Sequence, residues 1–225
     1  MSIFENKAII GGGIYTLPDV AEILNIDYSK VRRWVREYWD GKLGESFQRK
    51  YSWTVGKNPA IGFHTLVEMY VFIRFSEAGV KTQKLLEAHK MLSEKFATPF
   101  PFASEHVVDG IKTDGRQVFF QEKDKTIVTL DASRQVKLDF IKLFFKKLEF
   151  TKGVASRLWP MGKSKPVVVD PDHQFGQPTV EGTNILTSTL YNLKQAGEPV
   201  AFIASLYELD EKQVKAAISF HKKAA

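Results

Sequence analysis

Along the first hundred residues, apolar side chains recur at helical spacing in four runs separated by short polar or glycine-containing breaks. Leu17, Val20, Ala21 and Leu24 form the first run, with Thr16 placed as N-cap and Pro18 in the first turn, where its missing N–H is no loss. After Asn25-Ile26-Asp27, the stretch Tyr28 to Trp39 sets Val31, Trp34 and Val35 on one face and leaves Lys30, Arg32, Arg33 and Arg36 elsewhere, until Gly41 and Gly44 break it. Phe47 to Phe63 mixes aromatic and β-branched residues with Gly56, Asn58, Pro59 and Gly62, which predicts a short two-stranded wing. Thr65 to Ala78, closed by Gly79, and Lys81 to Phe96, ended by Pro99 and Pro101, read as two amphipathic helices.

The middle of the chain changes period. The clusters Val107-Val108, Val118-Phe119-Phe120 and Ile127-Val128, separated by Asp109-Gly110, Asp114-Gly115 and the charged turn Glu122 to Lys125, predict strands and hairpins. Val136 to Leu148 returns to helical spacing. Two strands follow, Arg157 to Trp159 and Val167 to Val169, then a loop from Pro171 to Thr183 and three helices, Leu186 to Ala196, Val200 to Leu206 and Glu211 to Lys223. The chain has 225 residues, more than the usual single domain, so more than one unit is expected. The predicted fold is α+β and mainly helical. It comprises an N-terminal winged helix-turn-helix over 1–98, a β-rich connecting segment and bridging helix over 99–150, and a small C-terminal domain of two strands and a three-helix bundle over 151–225. No repeat at a fixed period is legible in the residues.

Composition narrows the chemistry. There are no cysteines, which removes disulfides, thiolate metal sites and cysteine nucleophiles together. The first residues lack the basic start and apolar run of a secretory signal, and no stretch of 18 apolar residues occurs, so a cytoplasmic location without membrane insertion is expected. The formal net charge is +6, and its placement matters more than its size. From Tyr28 to Lys57 there are eight Lys or Arg (Lys30, Arg32, Arg33, Arg36, Lys42, Arg49, Lys50, Lys57) against three acids (Glu37, Asp40, Glu45).

A short helix, a three-residue turn, a basic second helix anchored by Trp34 and a following wing are the parts of a module that lays its second helix in the major groove. Double-stranded DNA carries dense negative charge and releases counterions when cations replace them. The expected DNA-binding residues are therefore Tyr28, Ser29, Lys30, Arg32, Arg33 and Arg36 on the helix, with Lys50, Tyr51 and Lys57 of the wing gripping the flanking backbone. Val200 to Leu206 and Glu211 to Lys223 share this spacing, but Phe202, Ile203, Leu206, Leu209, Val214, Ala217 and Ile218 fit a core or a dimer interface better than DNA contact.

The stretch Tyr15-Thr16-Leu17-Pro18-Asp19-Val20-Ala21-Glu22-Ile23-Leu24-Asn25-Ile26, followed by Tyr28-Ser29-Lys30-Val31-Arg32-Arg33-Trp34, resembles the opening of MerR-like winged helix-turn-helix proteins. Ala60 to Glu68 with Ala78-Gly79-Val80 looks like the helix after the wing in that group, although the spacing is longer here. In the last third, Asp170-Pro171, Phe175-Gly176, Pro178, Gly182-Thr183, Ala196-Gly197-Glu198 and Val214-Lys215-Ala216-Ala217 resemble the domain of unknown function 433 family of prokaryotic antitoxins. Together with the junction from Phe150 to Pro160, the resemblance covers nearly the whole chain and is to the larger VapB-type antitoxins. It implies a PIN-type ribonuclease toxin as partner, neutralised in a complex, and repression of the shared operon. Asn184 stands where that family usually has an arginine, so no contact of that arginine is inferred.

Other chemistry has weaker support. Asp170, Asp172, His173 and Glu181 lie close in sequence, but Pro171, Gly176 and Pro178 mark a turn in which aspartates cap backbone amides. His64, His89, His106 and His221 show no metal-ligand spacing. Gly11-Gly12-Gly13 lacks the Lys-Ser or Lys-Thr of a phosphate loop and reads as a flexible lead. The rings of Phe140, Phe144, Phe145, Phe150 and Trp159 read as core or interface packing. Neither catalytic, cofactor-binding nor metal-binding residues are expected, and the chain is read as a non-enzyme. Two-fold operators make a homodimer the expected assembly. The alternative is a MerR-like transcription factor that senses a small molecule through its middle segment.

Overall fold

The computed structural model describes residues 11–113, 117–122, 125–131 and 144–222. Thr16 and Asp19 exchange hydrogen bonds with each other's backbone, Thr16 N reaching Asp19 Oδ2 at 2.8 Å, and this box starts helix α1 (Leu17–Leu24). Asn25, at φ 52°, ends it in the left-handed conformation, and Asp27 caps α2 (Tyr28–Trp34). The helix does not stop at Trp39 as its pattern predicts. It loosens into a π-helix over Val35–Leu43, kinks at Gly41 and ends in α3 (Gly44–Ser46). Bonding five residues on brings Trp34 and Trp39 to one side, and each ring lies 5.3 Å from that of Phe72. A regular α-helix would have turned Trp39 away from that contact.

The chain then returns as β2 (Ser52–Val55) and β3 (Asn58–Ile61), which β1 (Tyr15–Thr16) completes in an antiparallel sheet of order β1-β3-β2. Two residues are too few to show a strand period, so β1 was not legible in the sequence. Helix α4 (Phe63–Glu77) buries nearly its whole circumference, Leu66, Val67, Met69, Val71, Phe72 and Phe75 included. It is the axis of the core, with α5 (Thr82–Phe96) beside it.

Val107 and Val108 are helical, not extended: they lie in α6 (Glu105–Gly110), a helix too short to display a 3.6 period. Beyond it β4 (Ile111–Thr113), β5 (Gln117–Glu122) and β6 (Lys125–Asp131) form an antiparallel meander, as the sequence predicts for that stretch. The turn at Asp114-Gly115 and the bridging helix before residue 144 lie outside the described residues. Leu148 does not end that helix; it opens β7 (Leu148–Thr151), which pairs with β8 (Val154–Leu158) through Lys152 (φ 53°) and Gly153 (φ 79°). Positive φ at both turn positions is the geometry that Asn-Gly announces more clearly than Lys-Gly does. The last elements are β9 (Val167–Val168), β10 (Thr179–Val180), α7 (Thr187–Gln195), α8 (Val200–Leu206) and α9 (Glu211–Lys222). The fold is thus mixed α and β with helices predominating.

Two apolar clusters hold it. The larger runs from Tyr15 to Val169 and takes in Ala216 and Phe220; Phe102, Val107, Phe120, Phe144 and Leu148 share it with α1, α2 and α4. The smaller comprises Val180, Leu190, Ile203, Ala204, Val214, Ala217 and Ile218. The two regions are joined closely. Gly11-Gly12-Gly13 is wedged at this junction and not a loose lead: Gly12 O accepts Phe63 N at 2.9 Å and, two residues on, Ile14 N donates to Phe175 O at 2.8 Å. Gly176, at φ 86°, lies under the buried Tyr15 ring, and a Cβ there would come within 2.1 Å of its hydroxyl oxygen.

Gly176→Ala is therefore expected to combine left-handed strain with overpacking, roughly 2–4 kcal/mol, and to lower the melting temperature accordingly. A melt indistinguishable from the parent protein would show that the Tyr15 contact yields freely. Among the described residues no helix is long and apolar enough to cross a membrane.

Candidate nucleic-acid interface

Helix α2 has an inner and an outer face. Val31, Trp34 and Val35 are buried, and Trp34 stacks near Trp39 and against Phe72, so the helix cannot roll. Its start is fixed by Asp27, whose carboxylate accepts Ser29 N at 2.8 Å and Lys30 N at 3.3 Å and is also bonded by the Ser29 hydroxyl. The hydroxyl and then the two amides hold this carboxyl below the usual range, keeping a negative charge at the helix N-terminus, where the dipole favours it.

Tyr28, Ser29, Arg32, Arg33 and Arg36 are exposed on the outer face. Lys30 is half-buried, its Nζ 4.8 Å over the Trp34 ring, so it contributes charge close to the helix axis. Arg36 forms an exposed ion pair with Glu37 at 3.1 Å, a contact weak enough to exchange for a phosphate. Among the described residues neither Arg32 nor Arg33 has an acidic partner, and both side chains are free to meet an anion. The five exposed side chains span just over two turns on one side.

The sheet is aimed by Asp40. Its carboxylate accepts Tyr51 N at 2.7 Å and Ser52 N at 3.0 Å and bonds the Ser52 hydroxyl, tying the π-helix to the entry of β2. Charge-based reading counted Asp40 only as an acid in a basic stretch; its pairing eleven residues away carries no sequence signal. Lys50 and Lys57 are exposed, Lys57 at the β2–β3 tip. Tyr51 is not at the surface. It is 1% exposed, donates its hydroxyl to Pro99 O at 3.1 Å and packs edge-on to His89 and Phe100. Burial, followed by the Glu68 charge, pushes its phenol pKa up. The strand entry that Asp40 fixes turns residue 51 inward, and Tyr51 is therefore a core residue rather than a backbone grip.

What this surface can do is electrostatic. It offers a rigid helix and a β2–β3 tip with Arg32, Arg33, Arg36, Lys50 and Lys57 outward.

The C-terminal motif residues gather around a second feature, a cleft of about 260 Å³ lined among others by Arg157, Trp159, Asp170, His173 and Asn184. Asp170 is buried, accepts Arg157 Nε at 2.7 Å and lies 3.1 Å from His173 Nδ1. The Asp170 hydrogen bond raises the Arg157 pKa, so the guanidinium stays charged. Asp170 also accepts Asp172 N at 3.0 Å, the turn-capping role expected of this segment, while Glu181 lies across the cleft. In the sequence Arg157 reads only as part of a strand. The hairpin that carries it beside Asp170 pairs residues eight apart, Glu149 with Arg157, and needs the β7 strand that the sequence reading took for a helix end.

A third contact joins the two regions. His221 Nδ1 lies 2.5 Å from Glu22 Oε1, and its Nε2 lies 3.0 Å from Thr187 Oγ1. Beside it an open cleft of about 750 Å³ runs between α1, the start of α2 and the C-terminal helices, with Asp27, Tyr28 and Tyr191 on its walls.

Comparison with known proteins places these features in a wider setting. The chain is similar to the uncharacterized protein Rv2308 of Mycobacterium tuberculosis, 24% identical over 219 residues that cover 93% of this chain and 90% of that one. Its fold is similar to that of the crystal structure of Rv2018 from Mycobacterium tuberculosis, with a TM-score of 0.66, 18% identity, and coverage of 91% of this chain and 96% of that one. Residues 167–221, from β9 to the last turn of α9, match the family described as protein of unknown function DUF433.

Proposed function

We propose that this chain is a DNA-binding antitoxin of a type II toxin–antitoxin system, which neutralises a PIN-type ribonuclease toxin and represses its own operon. In this reading α1, the Asn25-Ile26-Asp27 turn, α2 and the β1-β3-β2 sheet act as a winged helix-turn-helix on double-stranded DNA, and the chain works as a cytoplasmic homodimer without catalytic groups. The observation that carries it is the outer face of α2, where Arg32, Arg33 and Arg36 are exposed on a helix locked by Trp34. The toxin rests on the antitoxin-like motif residues of the last third; the DUF433 match spans the same segment, residues 167–221, and names no activity.

The test has two arms. Purified protein titrated into a duplex from upstream of its own gene is expected to bind with an affinity that falls steeply with salt, by a slope of roughly 0.9 per phosphate neutralised. Co-expression with the product of the adjacent gene is expected to give a stable complex and relieve that product's toxicity. Salt-independent or absent DNA binding sinks the repressor half; a neighbour that neither binds nor harms the cell sinks the antitoxin half.

The open cleft beside Asp27 and Tyr28 favours a second reading, a MerR-like regulator whose effector enters there and shifts α2. A small molecule that raises the melting temperature and changes DNA affinity, in the absence of any toxic neighbour, selects it.

A further inference from the structure

The turn between α1 and α2 recurs 183 residues later. At the first site Asn25 takes φ 52°, Ile26 N donates back to Ala21 O at 3.0 Å, and the Asp27 carbonyl accepts Lys30 N and Val31 N, both at 3.1 Å. At the second, Glu208 takes φ 54°, Leu209 N donates back to Ala204 O at 2.9 Å, and the Asp210 carbonyl accepts Gln213 N at 2.9 Å and Val214 N at 3.2 Å. Each turn thus has a left-handed residue, an aliphatic residue and an aspartate whose carbonyl accepts the first helical amides, in the same order.

The flanking helices match at most inner positions at that offset, while buried Ile23 corresponds to exposed Leu206 and exposed Arg33 to buried Ala216. Val20 and Ile203, Val31 and Val214, Trp34 and Ala217, and Val35 and Ile218 are all buried, and the small Ala21 and Ala204 sit at the same place in the first helix. The positions of Ser29, Arg32 and Arg36 correspond to Lys212, Lys215 and Ser219. A structural repeat exists where no fixed sequence period was legible, because only the turn and the inner positions are kept.

The sequence reading assigned this segment to a core or a dimer interface. Ile203, Val214, Ala217 and Ile218 do go to the core, the inner face that any helix-turn-helix must bury, and Ala216 and Phe220 pack into the larger cluster, so what α9 leaves exposed is its first turns at Lys212 and Lys215. There Lys212 and Lys215 are exposed, and with Lys165 from the preceding loop they line a cleft of about 410 Å³ together with Ser219. Glu211, paired with Lys215 at 2.6 Å, is the acid on that wall, and three lysines around one cleft repel one another unless an anion lies between them.

From the repeated turn and this basic cleft we infer that α8, residues 207–210 and α9 form a second DNA-binding helix-turn-helix, with Lys212, Lys215 and Lys165 on phosphates. Because His221 of α9 bonds Glu22 of α1, the two motifs belong to one body and engage DNA in a fixed mutual orientation. The inference rests on the reading that the chain binds DNA and adds a second point of contact to it.

The test uses the full chain and the upstream duplex, with a random-sequence duplex at low ionic strength as a second probe. Lys212→Glu with Lys215→Glu is expected to weaken binding tenfold or more and to lower the slope of log affinity against log salt by about 1.8, two phosphate contacts' worth. Lys212→Gln with Lys215→Gln, at exposed sites that leave the fold intact, is expected to lower the slope similarly with a smaller loss, and footprinting is expected to lose one protected patch while keeping another. Variants that bind both duplexes with unchanged affinity and slope, while Arg32→Ala with Arg33→Ala does not, overturn the second motif alone. A parent protein that ignores both duplexes overturns this inference and the DNA-binding reading together.

Discussion

Replacing Glu68 by alanine is expected to cost about 5 kcal/mol of folding free energy and to lower the melting temperature by on the order of 10–20 °C. Glu68 is fully buried in α4, the most enclosed helix of the fold. One carboxylate oxygen accepts Phe102 N at 2.7 Å and Ala103 N at 3.2 Å, and the other lies 2.8 Å from His89 Nε2, whose ring is itself fully buried. Truncation leaves two backbone donors without their acceptor in a dry interior and removes the carboxylate that faces the His89 ring. An unsatisfied buried donor costs about 1–3 kcal/mol, more than the hydrogen bond contributes when formed. Glu68→Gln keeps an acceptor for the two amides and is expected to lose less, roughly 1–3 kcal/mol, which separates the hydrogen bonds from the charge. Thermal and urea unfolding of both variants gives the comparison. An alanine variant within about 1 kcal/mol of the parent would mean that the 3₁₀ turn at Pro101–Ala103 repacks or hydrates without cost, and that α4 is not clamped by this carboxylate.

The pair Glu68 and His89 also marks where sequence reading stops. Periodicity placed α1 at its observed bounds, because Leu17, Val20 and Leu24 leave one face and Thr16, Pro18 and Asn25 punctuate it. It located α4 and α5 within a few residues for the same reason. What it could not supply was partnership across distance. Nothing in the spacing of α4 singles out Glu68, and its role is visible only once Phe102 N is found against it. Tyr51 read as a wing residue because it sits in a basic aromatic stretch, and only Asp40, eleven residues earlier in the chain, turns it into the core.

The same limit governs the strands. β5 and β6 are long enough to show their character and the valine run at 167–169 marks β9, whereas β1 and β10 are two residues each and exist only through their partners. The candidate interface was more legible than the core clamps. Its chemistry is local: a cap, a turn, three inward residues and a row of outward cations within one short segment. Arg157 and His221 were not, since each acts through a residue from another element, Asp170 and Glu22.

The surface that was legible carries the strongest functional expectation. Arg32→Ala with Arg33→Ala is expected to weaken binding to the upstream duplex by a hundredfold or more, since a base-reading or phosphate-binding arginine is worth about 1–3 kcal/mol and two are removed. The slope against salt is expected to fall by up to about 1.8 if both side chains meet phosphates, and by about 0.9 if one reads a base edge instead. These side chains are exposed and have no acidic partner among the described residues, so stability is expected to change by no more than about 0.5 kcal/mol. Tyr51→Phe supplies the opposite signature: loss of the hydroxyl bond to Pro99 O lowers the melting temperature while the DNA affinity of the folded protein stays put. If the double arginine variant bound as tightly as the parent, with the same salt slope, α2 would not be the helix that meets DNA. If Tyr51→Phe weakened binding without a change in melting, the tyrosine would have to leave the core to act. The two variants together therefore separate a groove-reading helix on a rigid scaffold from a charged surface that only happens to be basic.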